Sequence, residues 1–111
     1  MLKSLGKVTI ASAGTPERIT KDQSTPATNI SSHAVLIEAL SANTGKIYIG
    51  TSTLNKTTLA GVLAVLAVPT TNIIPVFSLG VSIAPNGINL ADIYFDCDTT
   101  SEGVTVGYIQ I

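Results

Sequence analysis

His33 and Cys97 are the single histidine and the single cysteine of this 111-residue chain, and they are its first candidates for catalysis. A catalytic triad needs a nucleophile, but the serines just before His33 lack the Gly-x-Ser-x-Gly motif. We therefore interpret His33 as a polar residue at the start of a strand. Cys97 follows Ile93 and Phe95 at alternate positions, so it is expected to be a small apolar core residue. These residues predict that the chain is not an enzyme.

The acidic side chains near the C-terminus are the candidates for binding a metal ion. Asp92, Asp96, Asp98 and Glu102 lie within one short stretch, and Ca²⁺ prefers oxygen ligands. The stretch lacks both the length and the glycine of an EF-hand loop. We therefore expect these acids to be solvated at a strand end and its turn, and we expect no metal ion and no cofactor. Contact with basic patches on a partner is the alternative for the same residues.

The charge balance and the apolar runs exclude further classes of partner. Six Lys and Arg residues and seven Asp and Glu residues give a net charge of -1, so we expect no nucleic-acid partner. The longest apolar run, residues 59–68, is too short to cross a bilayer, so we expect no membrane partner. The first seven residues lack the apolar segment of a secretion signal, which favours a protein of the cytoplasm.

The composition favours β structure and contact with other proteins. The 13 Ile, 9 Val and 15 Thr residues make a third of the chain β-branched, and such residues pack well on a pleated sheet. Charged residues are 12% of the chain and hydrophobic residues 45%. Because a small domain needs only a limited core, parts of residues 59–68 and 73–77 are expected to cover a partner. An obligate homo-oligomer is the alternative use of this apolar surplus.

Short β-like runs separated by turn residues are typical of an antiparallel sandwich or barrel. Residues 33–40 and 46–50 flank the turn sequence Ser-Ala-Asn-Thr-Gly, so they are predicted to form a β-hairpin with a positive φ angle near Gly45. Further strands are expected at residues 8–11, 18–20, 80–84, 92–96 and 103–111, and a turn at residues 85–87.

Two apolar segments have a mixed pattern. Residues 54–68 contain apolar side chains at helical spacing, but Gly61 and three valines equally fit a buried strand over residues 62–68, and both alternatives stay open. Pro75 interrupts the apolar run 73–79, so a strand there must be irregular or lie at a sheet edge.

Residues 1–111 are predicted to be one all-β domain, a single antiparallel β-sandwich that is jelly-roll-like. Residues 1–7 have little pattern of their own, so we expect an N-terminal arm that reaches a neighbouring molecule through Leu2 and Leu5. Residues 21–32 are polar and rich in Ser and Thr, so we expect a polar loop there.

Five phrases of the sequence stand out together: Gly-Thr-Pro-Glu-Arg-Ile-Thr at 14–20, Val-Leu-Ile-Glu-Ala-Leu at 35–40, Asn-Thr-Gly-Lys-Ile-Tyr-Ile-Gly at 43–50, Ile-Asn-Leu-Ala-Asp-Ile-Tyr-Phe-Asp at 88–96 and Glu-Gly-Val-Thr-Val at 102–106. These phrases resemble small virion proteins of tailed bacteriophages. Together with the chain length, they are most similar to the capsid decoration proteins, also called cement or staple proteins, of the epsilon15 type of short-tailed phage.

The resemblance implies a non-enzymatic jelly roll, made in the host cytoplasm, on the outer surface of the capsid. There it would clamp adjacent subunits of the major capsid protein as a homo-oligomer, with a dimer favoured over a trimer. Tyrosines are frequent at protein interfaces, so Tyr48 and Tyr94 join Leu2 and Leu5 as expected partner contacts. The alternatives are another virion module, such as a head fibre or a tail component, and a carbohydrate-binding jelly roll.

Overall fold

The computed structural model describes residues 1–80 and 87–111 of the chain. These residues are built mainly from β-strands, as the composition predicts, together with one short 3-10 turn. None of their helical segments is long and apolar enough to span a membrane. The strands are β1 (Leu2–Thr9), β2 (Glu17–Arg18), β3 (Ser31–Ala39), β4 (Ile47–Gly50), β5 (Val62–Leu66), β6 (Val76–Gly80), β7 (Ile88–Asn89), β8 (Tyr94–Cys97) and β9 (Gly103–Gln110), and the 3-10 turn is Leu90–Asp92.

The strands form two antiparallel sheets that together have the strand order of a jelly roll. The order is β1-β9-β3-β6 in the first sheet and β2-β8-β4-β5 in the second. Strand β7 continues the line of β6, because the two strands pair with successive parts of β3, residues 34–38 with β6 and residues 31–32 with β7. The predicted all-β antiparallel sandwich is therefore confirmed.

The predicted hairpin between residues 33–40 and 46–50 is wrong. Strand β3 pairs only within the first sheet and β4 only within the second, so the connection crosses the sandwich. It is held from far along the chain: the side-chain amide of Asn43 donates to the Gly103 carbonyl at 2.8 Å and accepts from the Gly103 N–H at 3.3 Å. Gly45 does not have a positive φ angle. Local turn chemistry suggested a hairpin, but long-range hydrogen bonds determine the path.

The core lies between the sheets and follows the alternation of the strands. Ile93, Phe95 and Cys97 are all buried, as their alternate positions predict. Phe95, at the centre of the second sheet, is fully enclosed, so the two sheets pack around an aromatic ring. The buried apolar cluster is Val8, Ile10, Ile19, Val35, Ile37, Ala39, Ile47, Ile49, Leu66, Leu90, Ile93, Phe95, Cys97, Val104 and Val106.

Residues 1–7 do not form the arm that the sequence suggests. Residues 2–7 belong to β1, which pairs with β9 along its length, and Met1 forms main-chain hydrogen bonds with Gln110. The pairing shifts register between Ser4 and Gly6, and Gly6 has a φ angle of +73°. Such a bulge interrupts the alternation of inward and outward side chains, so residues 1–7 lack the sequence pattern of a strand.

The segments with a mixed or polar pattern are now assigned. Residues 54–68 contain strand β5, so a strand rather than a helix is correct. The strand is not buried as expected, because Leu66 is its one buried residue and Leu63 and Val65 are exposed. Strand β6 begins immediately after Pro75 and lies at a sheet edge, as the proline predicts. Residues 21–28 form turns and bends, whereas the last two residues of the predicted polar loop already belong to β3. The predicted strand at 80–84 and its turn lie mostly outside the described residues.

Candidate functional site

The outer face of the first sheet carries apolar and small side chains where a solvated sheet face is usually polar. The core side chains of β3 alternate with Ala34 and Leu36, which therefore point outward. The strand register places Ile109 of β9 opposite Ala34, and Gly107 opposite Leu36. Residues 34–37 of β3 are consequently apolar on both faces, and their outer face is open to solvent, with Glu38 next along the same face.

A depression of about 500 Å³ lies on this face, between the edge strands β1 and β6. Large apolar side chains stand beside it and remain exposed: Leu36 by 47%, Ile109 by 40% and Leu2 by 82%. Small residues leave the space between them. We call this surface the outer apolar face; it comprises Leu2, Ala34, Leu36, Ser78, Gly80, Gly107 and Ile109. The depression is also lined by Val35, Leu79, Tyr108 and one charged residue, Lys3.

The outer apolar face can bind a partner through the burial of apolar surface rather than through a chemical reaction. A depression of this size accepts a large apolar side chain of a partner, and such anchors in fitted pockets contribute most of the energy of protein interfaces. Among residues 1–80 and 87–111, no group of three His, Cys, Asp or Glu side chains is close enough to hold a metal ion.

The four predicted contact residues do not come together in the structure. Leu2 belongs to the outer apolar face, on the first sheet. Leu5 is half-buried and packs against the core, so it supports the fold. Tyr48 and Tyr94 project from the second sheet, because their neighbours on β4 and β8 point into the core. The tyrosines therefore lie on the opposite side of the sandwich from Leu2.

Tyr48 is held by charged groups of its own chain. Its hydroxyl donates to Asp98 at 3.3 Å, and the Lys56 ammonium lies 3.7 Å from the same carboxylate. Lys56 also donates to the Cys97 carbonyl at 2.8 Å. Partial burial, and then the negative charge of Asp98, raise the pKa of Tyr48. The hydroxyl therefore remains protonated at neutral pH and is engaged within the molecule.

Tyr94 forms a cation–π contact with Arg18. The guanidinium carbon lies 5.2 Å from the centre of the ring, and the Arg18 Nε–H donates to the Ala91 carbonyl at 3.2 Å. Arg18 thus covers part of the Tyr94 ring. A sugar would need an open aromatic face for stacking, so this arrangement is less favourable to the carbohydrate-binding alternative.

Two of the four acids in the C-terminal cluster are not solvated as the sequence suggests. The Asp96 carboxylate is buried and accepts from the N–H groups of Gly14 at 3.0 Å and Cys97 at 2.8 Å. It therefore fixes the turn before β2 against β8. Asp96, like Glu102 described next, accepts hydrogen bonds from a loop. This role depends on contacts between distant parts of the chain and has no signature in the local sequence.

Glu102 is the second acid with a structural role. Its carboxylate accepts from the N–H of Thr44 at 2.6 Å, the hydroxyl of Thr44 at 2.9 Å and the N–H of Gly45 at 2.9 Å. Burial raises the Glu102 pKa, but the hydrogen bonds from Thr44 and Gly45 outweigh it, so the net pKa is lowered. Glu102 therefore binds the crossing connection in its ionised form.

The two candidates for catalysis have structural positions. His33 is exposed near the start of β3, in agreement with its interpretation as a polar strand residue. Cys97 is buried, and burial followed by the charge of Asp96 raises the pKa of its thiol to about 11. The thiol donates to the Thr99 carbonyl at 2.9 Å. A protonated, buried thiol is a poor nucleophile, and Cys97 is a core residue as predicted.

The residues that sequence reasoning missed are the small ones of the outer apolar face. The apolar character of β3 on both faces is visible in the sequence, but Ser78, Gly80 and Gly107 become neighbours of β3 only through the strand order.

In comparisons with known proteins, no family model, no curated protein and no solved structure matches this chain.

Proposed function

We propose that this chain is a capsid decoration protein of a tailed phage. It binds the outer surface of the assembled head, clamps adjacent major capsid protein subunits and catalyses no reaction. The observation that carries the proposal is the outer apolar face, a solvent-exposed surface suited to a protein partner. The jelly-roll fold and the phrases that resemble phage decoration proteins support the same role.

The stabilising effect follows from binding to the assembled shell alone. Burying Leu2, Leu36 and Ile109 removes apolar surface from water, and a fully buried side chain of this size contributes about 1.5–3 kcal/mol. Leu36 and Ile109 gain less, because each is already partly covered in the free protein. A protein that binds the shell and not its separated subunits stabilises the shell by its binding free energy, repeated at many symmetric sites.

Cosedimentation with capsid shells tests the proposal. The purified chain is mixed with expanded shells of its phage, and bound protein is measured after sedimentation. We expect saturable binding by the natural chain and at least a tenfold loss of affinity for Leu36→Lys, which buries an unpaired charge. Thr105→Lys is the matched control, since Thr105 is exposed on the same sheet but outside the depression.

Two outcomes of this experiment contradict the proposal. If the natural chain does not sediment with shells at any concentration, the chain is not a decoration protein. If it binds but Leu36→Lys and Thr105→Lys bind equally well, the outer apolar face is not the docking surface. Circular dichroism of both variants confirms that they are folded before binding is compared.

A further inference from the structure

The edges of the two sheets differ in their protection against pairing with another chain. Strand β1 carries Lys3 and Lys7 and is interrupted by the bulge at Gly6. Strand β2 consists of only two residues, Glu17 and Arg18, and both are charged. Short length, charge and bulges are the usual means by which proteins prevent edge-to-edge association. The β1 and β2 edges are therefore protected.

Strand β6 lacks this protection. It pairs with β3 without a register shift, and no residue from Thr57 to Ala91 is charged. The edge of the second sheet on the same side, β5, is also uncharged, but its pairing with β4 shifts register near Gly50. Of the two unprotected edges, β6 is thus the more regular one.

The peptide groups of β6 alternate between its partner and its free edge. The Ala39 N–H donates to the Pro75 carbonyl at 3.0 Å, so position 75 and every second residue after it direct their peptide groups toward β3. The N–H and C=O groups of Val76, Ser78 and Gly80 consequently face the free edge. Within residues 1–80 and 87–111 they have no main-chain partner there, and another β-strand satisfies them best.

The surroundings of this edge fit a second copy of the same surface. Ile73, which precedes the strand, is 66% exposed, and Ile74 and Val76 are exposed as well. A two-fold contact brings the same patch of both subunits together, so a charged patch would repel itself. This patch has no charge to repel its copy and none to attract an oppositely charged partner.

We propose that two copies of this chain associate through β6, which pairs antiparallel with β6 of the second copy about a two-fold axis at Ser78. This register places Val76 opposite Gly80 and Phe77 opposite Leu79. The outward side chain of Val76 therefore meets a glycine. The outward peptide groups of each β6 then bond to those of the other. The two first sheets become one continuous sheet. The association belongs to the free protein and goes beyond the proposed binding to capsids.

Sedimentation velocity over a range of protein concentrations tests this inference. The natural chain is expected to reach the mass of two chains as its concentration rises. Because Ser78 faces itself across the axis, Ser78→Lys and Ser78→Glu each place like charges directly opposite, and each is expected to weaken association several-fold. An equimolar mixture of the two variants places opposite charges together and is expected to restore the dimer. Thr105→Lys, on an inner strand of the same sheet, is expected to dimerise like the natural chain.

Each contrary result overturns the inference. A natural chain that stays a monomer at every concentration, or that forms trimers, excludes pairing through β6. A Ser78→Lys variant that dimerises normally excludes the register, and so does a mixture of the two Ser78 variants that stays monomeric. Because these measurements use no capsid, they are independent of the test of the proposed function. Circular dichroism of each Ser78 variant ensures that loss of dimer is not loss of fold.

Discussion

Glu102 joins two parts of the molecule that are far apart in the sequence. Its carboxylate holds the N–H groups of the connection between β3 and β4, and these bonds lower its pKa in the folded protein. A carboxyl group with a lowered folded-state pKa stabilises the fold fully above its unfolded-state pKa. That stabilisation is lost as the pH falls through the folded-state pKa.

We expect Glu102→Gln to destabilise the protein by about 1 kcal/mol at neutral pH, because it replaces charge-assisted hydrogen bonds with neutral ones. In a domain of this size that is a loss of about 4 °C in Tm. The difference from the natural chain should shrink as the pH falls below 4.5, the ordinary pKa of the group. Thermal unfolding at several pH values measures it, with Glu38→Gln, a change to a half-buried glutamate of strand β3, as the control. A difference that is the same at all pH values would contradict this role.

The Cys97 thiol should be unreactive while the protein is folded. It is buried and its pKa is about 11, so very little thiolate exists near neutral pH. A colorimetric thiol reagent at mildly alkaline pH is expected to react slowly with the native protein and at once in denaturant. Rapid labelling of the native protein would show that Cys97 is accessible and not a core residue.

At the scale of the elements, the sequence predicts strands well and their partners poorly. The alternation of Ile93, Phe95 and Cys97 is a local property, so the pattern was sufficient to locate β8 and its buried face. The crossing after β3 depends on Asn43 and Gly103, which are adjacent only in the folded chain. The same reason explains why the outer apolar face was not foreseen: its residues come from four strands that the jelly-roll order brings together.

Replacement of Gly45 should destabilise the crossing connection through a steric clash. A Cβ at Gly45 would lie 2.8 Å from Thr99 Oγ1 and 2.9 Å from Asp98 Cβ, so the two turns would have to separate. We expect Gly45→Ala to cost about 1–3 kcal/mol, the usual range for overpacking. Gly107→Ala is the control, since its nearest contact would be 3.8 Å away. Equal urea-unfolding midpoints for the two variants would contradict the tight packing of this loop.

The two sides of the molecule differ in whether their outward-facing groups have partners within the chain. On the second sheet, Tyr48 is bonded to Asp98, and Arg18 covers Tyr94. On the first sheet, the outer apolar face and the β6 edge leave apolar groups and peptide groups exposed. Strand β5 of the second sheet also exposes Leu63 by 58% and Val65 by 43%. What distinguishes the first sheet is its depression and its regular free edge, and both of our proposals place a partner there. Because its two surfaces share Ser78 and Gly80, pairing through β6 would place the depressions of two copies beside the same axis.

Two changes in the N-terminal strand distinguish its contribution to the stability of the fold from its contribution to partner binding. Deletion of residues 1–6 removes most of the pairing of β1 with β9 and the half-buried Leu5, so we expect a loss of about 2–4 kcal/mol in the free protein. Leu2→Lys keeps the backbone of the strand and changes only a side chain that is 82% exposed, so it should leave the Tm nearly unchanged while weakening retention on shells. Thermal melting and cosedimentation of the two variants measure both effects. If the deletion leaves the Tm unchanged, β1 is not an integral strand, and residues 1–7 act as the free arm that their sequence suggests.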